Sequence, residues 1–176
     1  MPTNIEIKAL VHDWAGMCRR AESLSDTPVE LIAQEDTFFV CPTGRLKLRF
    51  LAPDRGQLIG YQREDVSGTK ASRYLITETT EPETLRQVLA ASLGILGTVK
   101  KKRFLYLRGQ IRIHLDQVEK LGTFLELEVV LKPGQPSSEG EAIARDLMEK
   151  LGIKAGHLVA GAYLDRILRS NPAWND

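Results

Sequence analysis

The segment Arg112-Ile113-His114-Leu115-Asp116-Gln117-Val118-Glu119-Lys120-Leu121-Gly122-Thr123-Phe124-Leu125-Glu126-Leu127-Glu128 alternates polar and aliphatic residues on either side of a turn. A period of two is the pattern of a strand with two unlike faces. The segment reads as a hairpin of strands over 110–117 and 124–132, turning at Lys120-Leu121-Gly122. The first strand sets Arg112, His114 and Asp116 on one face. The second sets Glu126 and Glu128 side by side, roughly 7 Å apart from the rise per residue.

The pattern recurs through the chain. Asn4, Glu6 and Lys8 alternate with Ile5, Ile7 and Ala9, and Arg45, Lys47 and Arg49 with Leu46 and Leu48. Lys101 and Arg103 share a face of a strand over 99–106. Further strands read at 34–40, 57–63 and 72–79. Pro42-Thr43-Gly44, Pro53-Asp54-Arg55-Gly56 and a turn near Ser67-Gly68-Thr69 join them, which makes an antiparallel meander. Asp13 is the expected N-cap of a helix to Leu24. Glu81-Pro82-Glu83 opens a second helix that Gly94 ends. Ser138-Glu139-Gly140-Glu141 resembles a capping box for a third, ending at Leu151. A fourth is expected from Ala155 to Arg169. Eight strands and four helices account for residues 1–170, with a tail over 171–176.

Bulk properties narrow the function classes. The chain has 176 residues, which fits one domain, and 43% hydrophobic residues. Its 24 basic and 23 acidic residues leave a net charge of +1. A near-neutral balance argues against a general nucleic-acid binder. Cys18 and Cys41 read as free thiols in a reducing compartment. No apolar run approaches the ~20 residues needed to span a membrane, and the start lacks a signal peptide's pattern. A cytoplasmic protein without a membrane partner is the expectation.

The charges are sorted by strand. Arg45, Lys47 and Arg49 bring only cations, whereas the strand of Glu126 and Glu128 brings mostly anions. A half-exposed strand, with its polar face merely in water, explains any single case. It does not explain the sorting of signs between strands. A closed sheet turns alternate residues of every strand toward one axis, so the sorted faces suit a cavity for a polyanion and a divalent metal. Arginines bind phosphate oxygens in pairs and lysines as point charges. Carboxylates take Mg2+ or Mn2+ and link it to phosphate.

In these blocks the chain resembles the CYTH superfamily, the triphosphate tunnel metalloenzymes. Asn4-Ile5-Glu6-Ile7-Lys8 is similar to the family's opening Glu-x-Glu-x-Lys strand. Gln34-Glu35-Asp36-Thr37-Phe38-Phe39, Arg45-Leu46-Lys47-Leu48-Arg49, Val99-Lys100-Lys101-Lys102-Arg103, the quoted hairpin and Tyr163-Leu164-Asp165 continue the resemblance. Length and spacing look most like the class IV adenylyl cyclase-like branch, related to thiamine triphosphatases. The resemblance implies an α+β fold: a closed or nearly closed eight-stranded antiparallel β-tunnel with flanking helices. Two positions depart from it. Asn4 stands in place of the first glutamate, and Gln62 where many members have lysine.

The resemblance, with the faces just described, implies roles. Glu6, Asp116, Glu126 and Glu128 would bind Mg2+ or Mn2+. Lys8, Arg45, Lys47, Arg49, Arg63, Lys101, Arg103 and Arg112 would grip the phosphates, with Lys8 and Glu6 as catalytic groups. His114 shares the face of Arg112 and Asp116, but the three histidines do not cluster at metal-ligand spacing and none is counted among these site residues. The expected reaction is hydrolysis of inorganic triphosphate, thiamine triphosphate or a nucleoside triphosphate, with a carboxylate orienting the water. The alternatives are cyclisation of ATP to cyclic AMP and pyrophosphate, and a non-catalytic polyphosphate- or nucleotide-binding module, which Asn4 favours. The expected partner is a small-molecule triphosphate, with no sequence-specific nucleic acid, and the chain would be a monomer or homodimer.

Overall fold

The computed structural model describes residues 3–63 and 68–170. Among them lie strands β1 (Thr3–Leu10), β2 (Glu30–Phe39), β3 (Arg45–Ala52), β4 (Arg55–Arg63), β5 (Lys70–Thr79), β6 (Ile95–Arg108), β7 (Ile111–Val118) and β8 (Gly122–Val130). The helices are α1 (Trp14–Leu24), α2 (Pro82–Leu93), α3 (Ser137–Leu151) and α4 (Tyr163–Ser170). The strands close into a barrel in the order β1-β5-β4-β3-β2-β6-β7-β8, all neighbours antiparallel. β1 completes the closure by pairing with β5 on one side and β8 on the other. The expected eight-stranded antiparallel barrel with flanking helices is what forms. The tail over 171–176, and Ser67 of the expected turn, lie outside the described residues.

The main hydrophobic core lies outside the barrel wall. Ile5 and Ile7 of β1, Ile113 and Leu115 of β7, and Leu125 and Leu127 of β8 point outward and are fully buried under α1 and α3. Met17 and Ala21 face them from α1, and Ala144, Leu147 and Leu151 from α3. Each aliphatic side chain so buried contributes about 1.5–3 kcal/mol. Gly140 permits the contact: a Cβ there would stand 2.6 Å from Leu131 and 2.7 Å from Ile5. With the apolar faces used on the outside, period two leaves the polar faces turned inward.

A smaller cluster closes one end of the barrel. Phe38, Val99, Val118 and Phe124 pack against Val159, Tyr163 and Leu164. Leu164 sits on β6 at Gly97, where a Cβ would come within 2.6 Å of it.

Two local expectations change. The expected capping box at the start of α3 does not form; the N-cap is Pro136 and makes no side-chain cap hydrogen bond. The single helix expected from Ala155 to Arg169 is broken into a 3-10 turn at Ala155–His157 and α4. Between them Leu158 bridges to Ala9, and the Val159 N–H donates to the Lys8 carbonyl at 2.9 Å. Gly161 then takes φ +78°, a left-handed conformation that ends the extended stretch. Asp13 does cap α1, accepting from the Gly16 N–H at 2.9 Å.

Candidate active site

The inward faces converge on a cavity of about 270 Å³. β1 contributes Asn4, Glu6 and Lys8; β2 Gln34 and Asp36; β3 Lys47 and Arg49. β6 adds Lys101 and Arg103, β7 Arg112 and His114, β8 Glu126 and Glu128. Ile59 and Tyr61 of β4, with Ser72, Tyr74 and Ile76 of β5, form a less charged wall. A second concavity of about 800 Å³ lies around β2, β6 and the β3–β4 and β7–β8 turns, lined by the exposed Lys100 and Lys102 and by the buried Gln34 and Lys101 that it shares with the interior.

The strand register sets the acidic side. Across β1 and β8, Lys8 lies opposite Glu126 and Glu6 opposite Glu128. Across β7 and β8, His114 lies opposite Glu126 and Arg112 opposite Glu128. Directly opposed side chains stand about 5 Å apart at Cβ, so three strands bring these groups together. Glu126 Oε2 accepts from Arg103 at 2.7 Å, and its Oε1 lies 3.5 Å from Lys8 Nζ. Arg112 donates to Glu128 Oε2 at 3.4 Å. Lys8 Nζ also stands 3.9 Å above the Tyr163 ring, a cation–π contact.

A second acidic centre lies further along the inner face of β7. Asp116 is fully enclosed and does not line the cavity. It accepts from Arg103 twice at 2.7 Å, from Lys101 at 3.2 Å and from the Tyr163 hydroxyl at 3.0 Å. Both oxygens of Asp116, an expected metal ligand, are engaged by these groups, and Arg103 Nη2 joins it to Glu126 at 2.7 Å each. On β2, Asp36 does the same work: it accepts from Lys47 at 2.8 Å and from Arg49 at 2.8 and 2.9 Å.

The electrostatics follow from burial and pairing. Burial would raise the Asp36 carboxyl, but the Arg49 and Lys47 charges hold it well below the usual carboxylate range. Burial would likewise raise Glu126, and Lys8 and Arg103 pull it well below. Glu128 goes the other way, raised by burial and by the negative charges of Glu126 and Glu6. Burial and the adjacent Arg103 charge bring the Lys101 ammonium down to about 7, against the pull of Asp116. Burial, with Arg103 adding to it, pushes His114 well below its ordinary range, so the imidazole is neutral.

Four positions that the sequence singles out need separate placement. Arg45 shares the face of Lys47 and Arg49, but it stands at the strand's end and grips Asp165 of α4 at 3.0 and 3.3 Å. Gln62 is exposed and follows the cavity-lining Tyr61 on β4, so it points to the outer face and a lysine there would not reach the interior. Arg63 pairs by its backbone with Ser72, and its side chain lies outside the described residues. Asn4 is buried at the wall and receives the Tyr74 hydroxyl at 3.4 Å.

The sequence reading missed Asp36 as a charge partner, Tyr163 as a cover over Lys8, and the uncharged wall of β4 and β5. Asp36 had a signal, since its face of β2 alternates with Glu35 and Thr37. Its partners 11 and 13 residues away were not legible without the barrel.

The donor set fits a divalent ion. Glu126, Glu128 and His114 offer ligand atoms all within 4.8 Å of one another. His114 Nδ1 is buried and has no hydrogen-bond partner. Glu6 borders the group through its register with Glu128.

Comparison with known proteins agrees with this architecture. The profile of the CYTH domain matches residues 2–163. No curated protein sequence matches the chain. Among solved structures, the PH1012 protein of Pyrococcus horikoshii OT3 is 25% identical, with a TM-score of 0.80 over 92% of this chain and 98% of that one. A candidate adenylate cyclase from Vibrio parahaemolyticus is 17% identical, with a TM-score of 0.77 over 93% and 97%. HpAC1 from Hippeastrum, an adenylyl cyclase candidate described as having dominant triphosphatase activity, is 16% identical, with a TM-score of 0.66 over 97% and 96%.

Proposed function

Because the chain belongs to the CYTH domain family, we propose that it is a divalent-metal-dependent phosphohydrolase acting on a triphosphate held inside the barrel. The observation that carries this reading is the arrangement of Lys47, Arg49, Lys101, Arg103 and Arg112 facing Glu126 and Glu128 across one cavity. The cations are held ready by Asp36, Asp116 and the two glutamates. A triphosphate entering the cavity exchanges those carboxylate contacts for phosphate oxygens, and the guanidiniums of Arg49 and Arg103 can bind two oxygens each. Most of the transition-state stabilisation then comes from positioned charge.

Glu126 and Glu128 would hold Mg2+ or Mn2+, with Glu6 beside them. Such an ion, when bound, neutralises phosphate charge and makes water a better nucleophile. Glu6 would orient the water and accept its proton at a carboxylate oxygen. Lys8, fixed between Glu126 and the Tyr163 ring, would place its ammonium on the terminal phosphoryl group as negative charge shifts during transfer. Ile59, Tyr61, Tyr74 and Ile76 offer an apolar surface to the organic part of a substrate, which favours thiamine or nucleoside triphosphate over the inorganic chain.

The same surface favours a second reading, adenylyl cyclisation, since that reaction must also hold a base and ribose. The discriminating experiment incubates the protein with Mg2+ or Mn2+ and tripolyphosphate, thiamine triphosphate or ATP. Orthophosphate release is the expected result. Pyrophosphate with cyclic AMP selects cyclisation, and tight binding without turnover selects a binding module and overturns the proposal.

A further inference from the structure

His114 carries an inference beyond a generic divalent site. It lies on β7 directly opposite Glu126, is 4% exposed, and leaves Nδ1 buried without a hydrogen-bond partner. Buried polar atoms are almost always satisfied, and an exception asks for a cause. The nearest acidic atom is Glu128 Oε1 at 3.8 Å. That is too long for a hydrogen bond. It suits two ligands of one ion, because metal–ligand bonds of about 2.1 Å separate neighbouring ligands by roughly 3–4 Å. Nδ1 thus sits unpartnered beside two carboxylates, with ligand atoms of all three within 4.8 Å of one another, and a cation between them would satisfy it.

The carboxylates are already turned for that role. Arg103 fixes Oε2 of Glu126 while Lys8 stands 3.5 Å from its Oε1, and Arg112 fixes Oε2 of Glu128, leaving Oε1 of Glu128 toward His114. Partners of this kind orient metal ligands. The chemistry of the donors then decides the ion. Mg2+ demands oxygen ligands and keeps its waters, whereas Mn2+, which shares that taste for carboxylates, tolerates an imidazole nitrogen beside them better than Mg2+ does.

We propose that His114 Nδ1 joins Glu126 and Glu128 in a mixed nitrogen–carboxylate site that selects a transition ion such as Mn2+ over Mg2+. This deepens the metal-dependent reading above and rests on it for its biological use, but binding can be tested without any substrate. The full chain is loaded with Mn2+ and studied by pulsed EPR, and its affinities for Mn2+ and Mg2+ are measured by titration. Electron-spin-echo modulation from one imidazole nitrogen is expected, and it should change its frequency when histidine is labelled with 15N.

The chain has three histidines, so the His12→Gln/His157→Gln variant must keep the modulation and His114→Gln must lose it. In His114→Asp, which keeps an anionic oxygen ligand, the preference for Mn2+ over Mg2+ should fall roughly tenfold. No nitrogen modulation in the wild-type protein, or an unchanged Mn2+-to-Mg2+ preference in a folded His114→Asp variant, overturns the inference. The wild-type 15N result stands even where a variant fails to fold. Turnover in Mg2+ without nitrogen modulation would sink this inference alone. Nitrogen modulation without turnover in any metal would sink the hydrolase reading alone.

Discussion

The arc from β6 through β7 and β8 to β1 has its outer face buried beneath α1 and α3, whereas the arc from β2 through β3 and β4 to β5 leaves Leu31 and Leu75 exposed on its outside. The inner faces differ in the same division. The packed arc carries Asp116, Glu126 and Glu128, each paired with cations of its own arc, and Glu6, which lies opposite Glu128 on β8 and Lys70 on β5. The other arc carries one cavity-lining carboxylate, Asp36, for the two cations Lys47 and Arg49, and otherwise presents Ile59, Tyr61, Tyr74 and Ile76. Acid spacing thus rests on the part of the wall held by the hydrophobic core. Under the proposed function, the part with less behind it would meet phosphate and the organic group of the substrate.

The largest effect should come from removing the acids of the packed arc. Glu126→Gln/Glu128→Gln keeps the side-chain shapes and removes both charges. Metal-dependent phosphate release should fall at least about 10³-fold in kcat/KM, roughly 4 kcal/mol of transition-state stabilisation. Steady-state assays with saturating Mn2+ or Mg2+ read this directly. Activity within tenfold of wild type would erase the distinction between the arcs, because it would leave the metal without an assigned seat.

The next effect belongs to the opposite arc. Asp36→Asn leaves Lys47 and Arg49 half-enclosed without their carboxylate. Breaking such a pair should cost roughly 3 kcal/mol, or about 10 °C in Tm for a chain of this size. Tripolyphosphate should then raise the variant's Tm more than it raises that of wild type, since the anion replaces the lost carboxylate. Calorimetry with and without tripolyphosphate checks both statements. Equal ligand shifts in the two proteins would mean that Lys47 and Arg49 do not meet phosphate.

How far the sequence foretold this division depends on the element. Period-two alternation made the inner faces of β1, β3, β7 and β8 legible, because a closed barrel must turn one set of alternate residues inward. It could not reveal which inward charges were already engaged. Arg45 has the same parity as Lys47 and Arg49, yet the end of β3 brings it to Asp165 of α4, 120 residues away. Asp116 has the same parity as Arg112 and His114, yet Arg103, Lys101 and Tyr163 enclose it. The break before α4 had a signal, since Leu158 and Tyr163 are five residues apart, off the three- and four-residue steps of one helix face. The bridge to Ala9 and the left-handed Gly161 are tertiary choices.

The smallest effect concerns the seam where the arcs meet at β6 and β2. Lys101 stands opposite Gln34 there, and burial with the Arg103 charge lowers its ammonium from 10.5 to about 7. The ammonium is charged below that value and neutral above it, so Lys101 attracts phosphate most strongly in mildly acidic solution. Affinity for tripolyphosphate should weaken by a few-fold as pH rises from 6 to 8.5, about 1 kcal/mol for one charge-assisted contact. The anion's own last ionisation acts in the opposite sense, so the informative quantity is the difference between wild type and Lys101→Gln. That difference should be present at pH 6 and nearly gone at pH 8.5. For stability, the folded chain binds fewer protons at Lys101 than the unfolded chain between pH 7 and 10.5. The Lys101 contribution therefore rises with pH across that window in the ligand-free protein. Bound triphosphate should hold the proton on Lys101 and flatten the rise, and a slope that triphosphate leaves unchanged would place Lys101 with the structural charges of the packed arc.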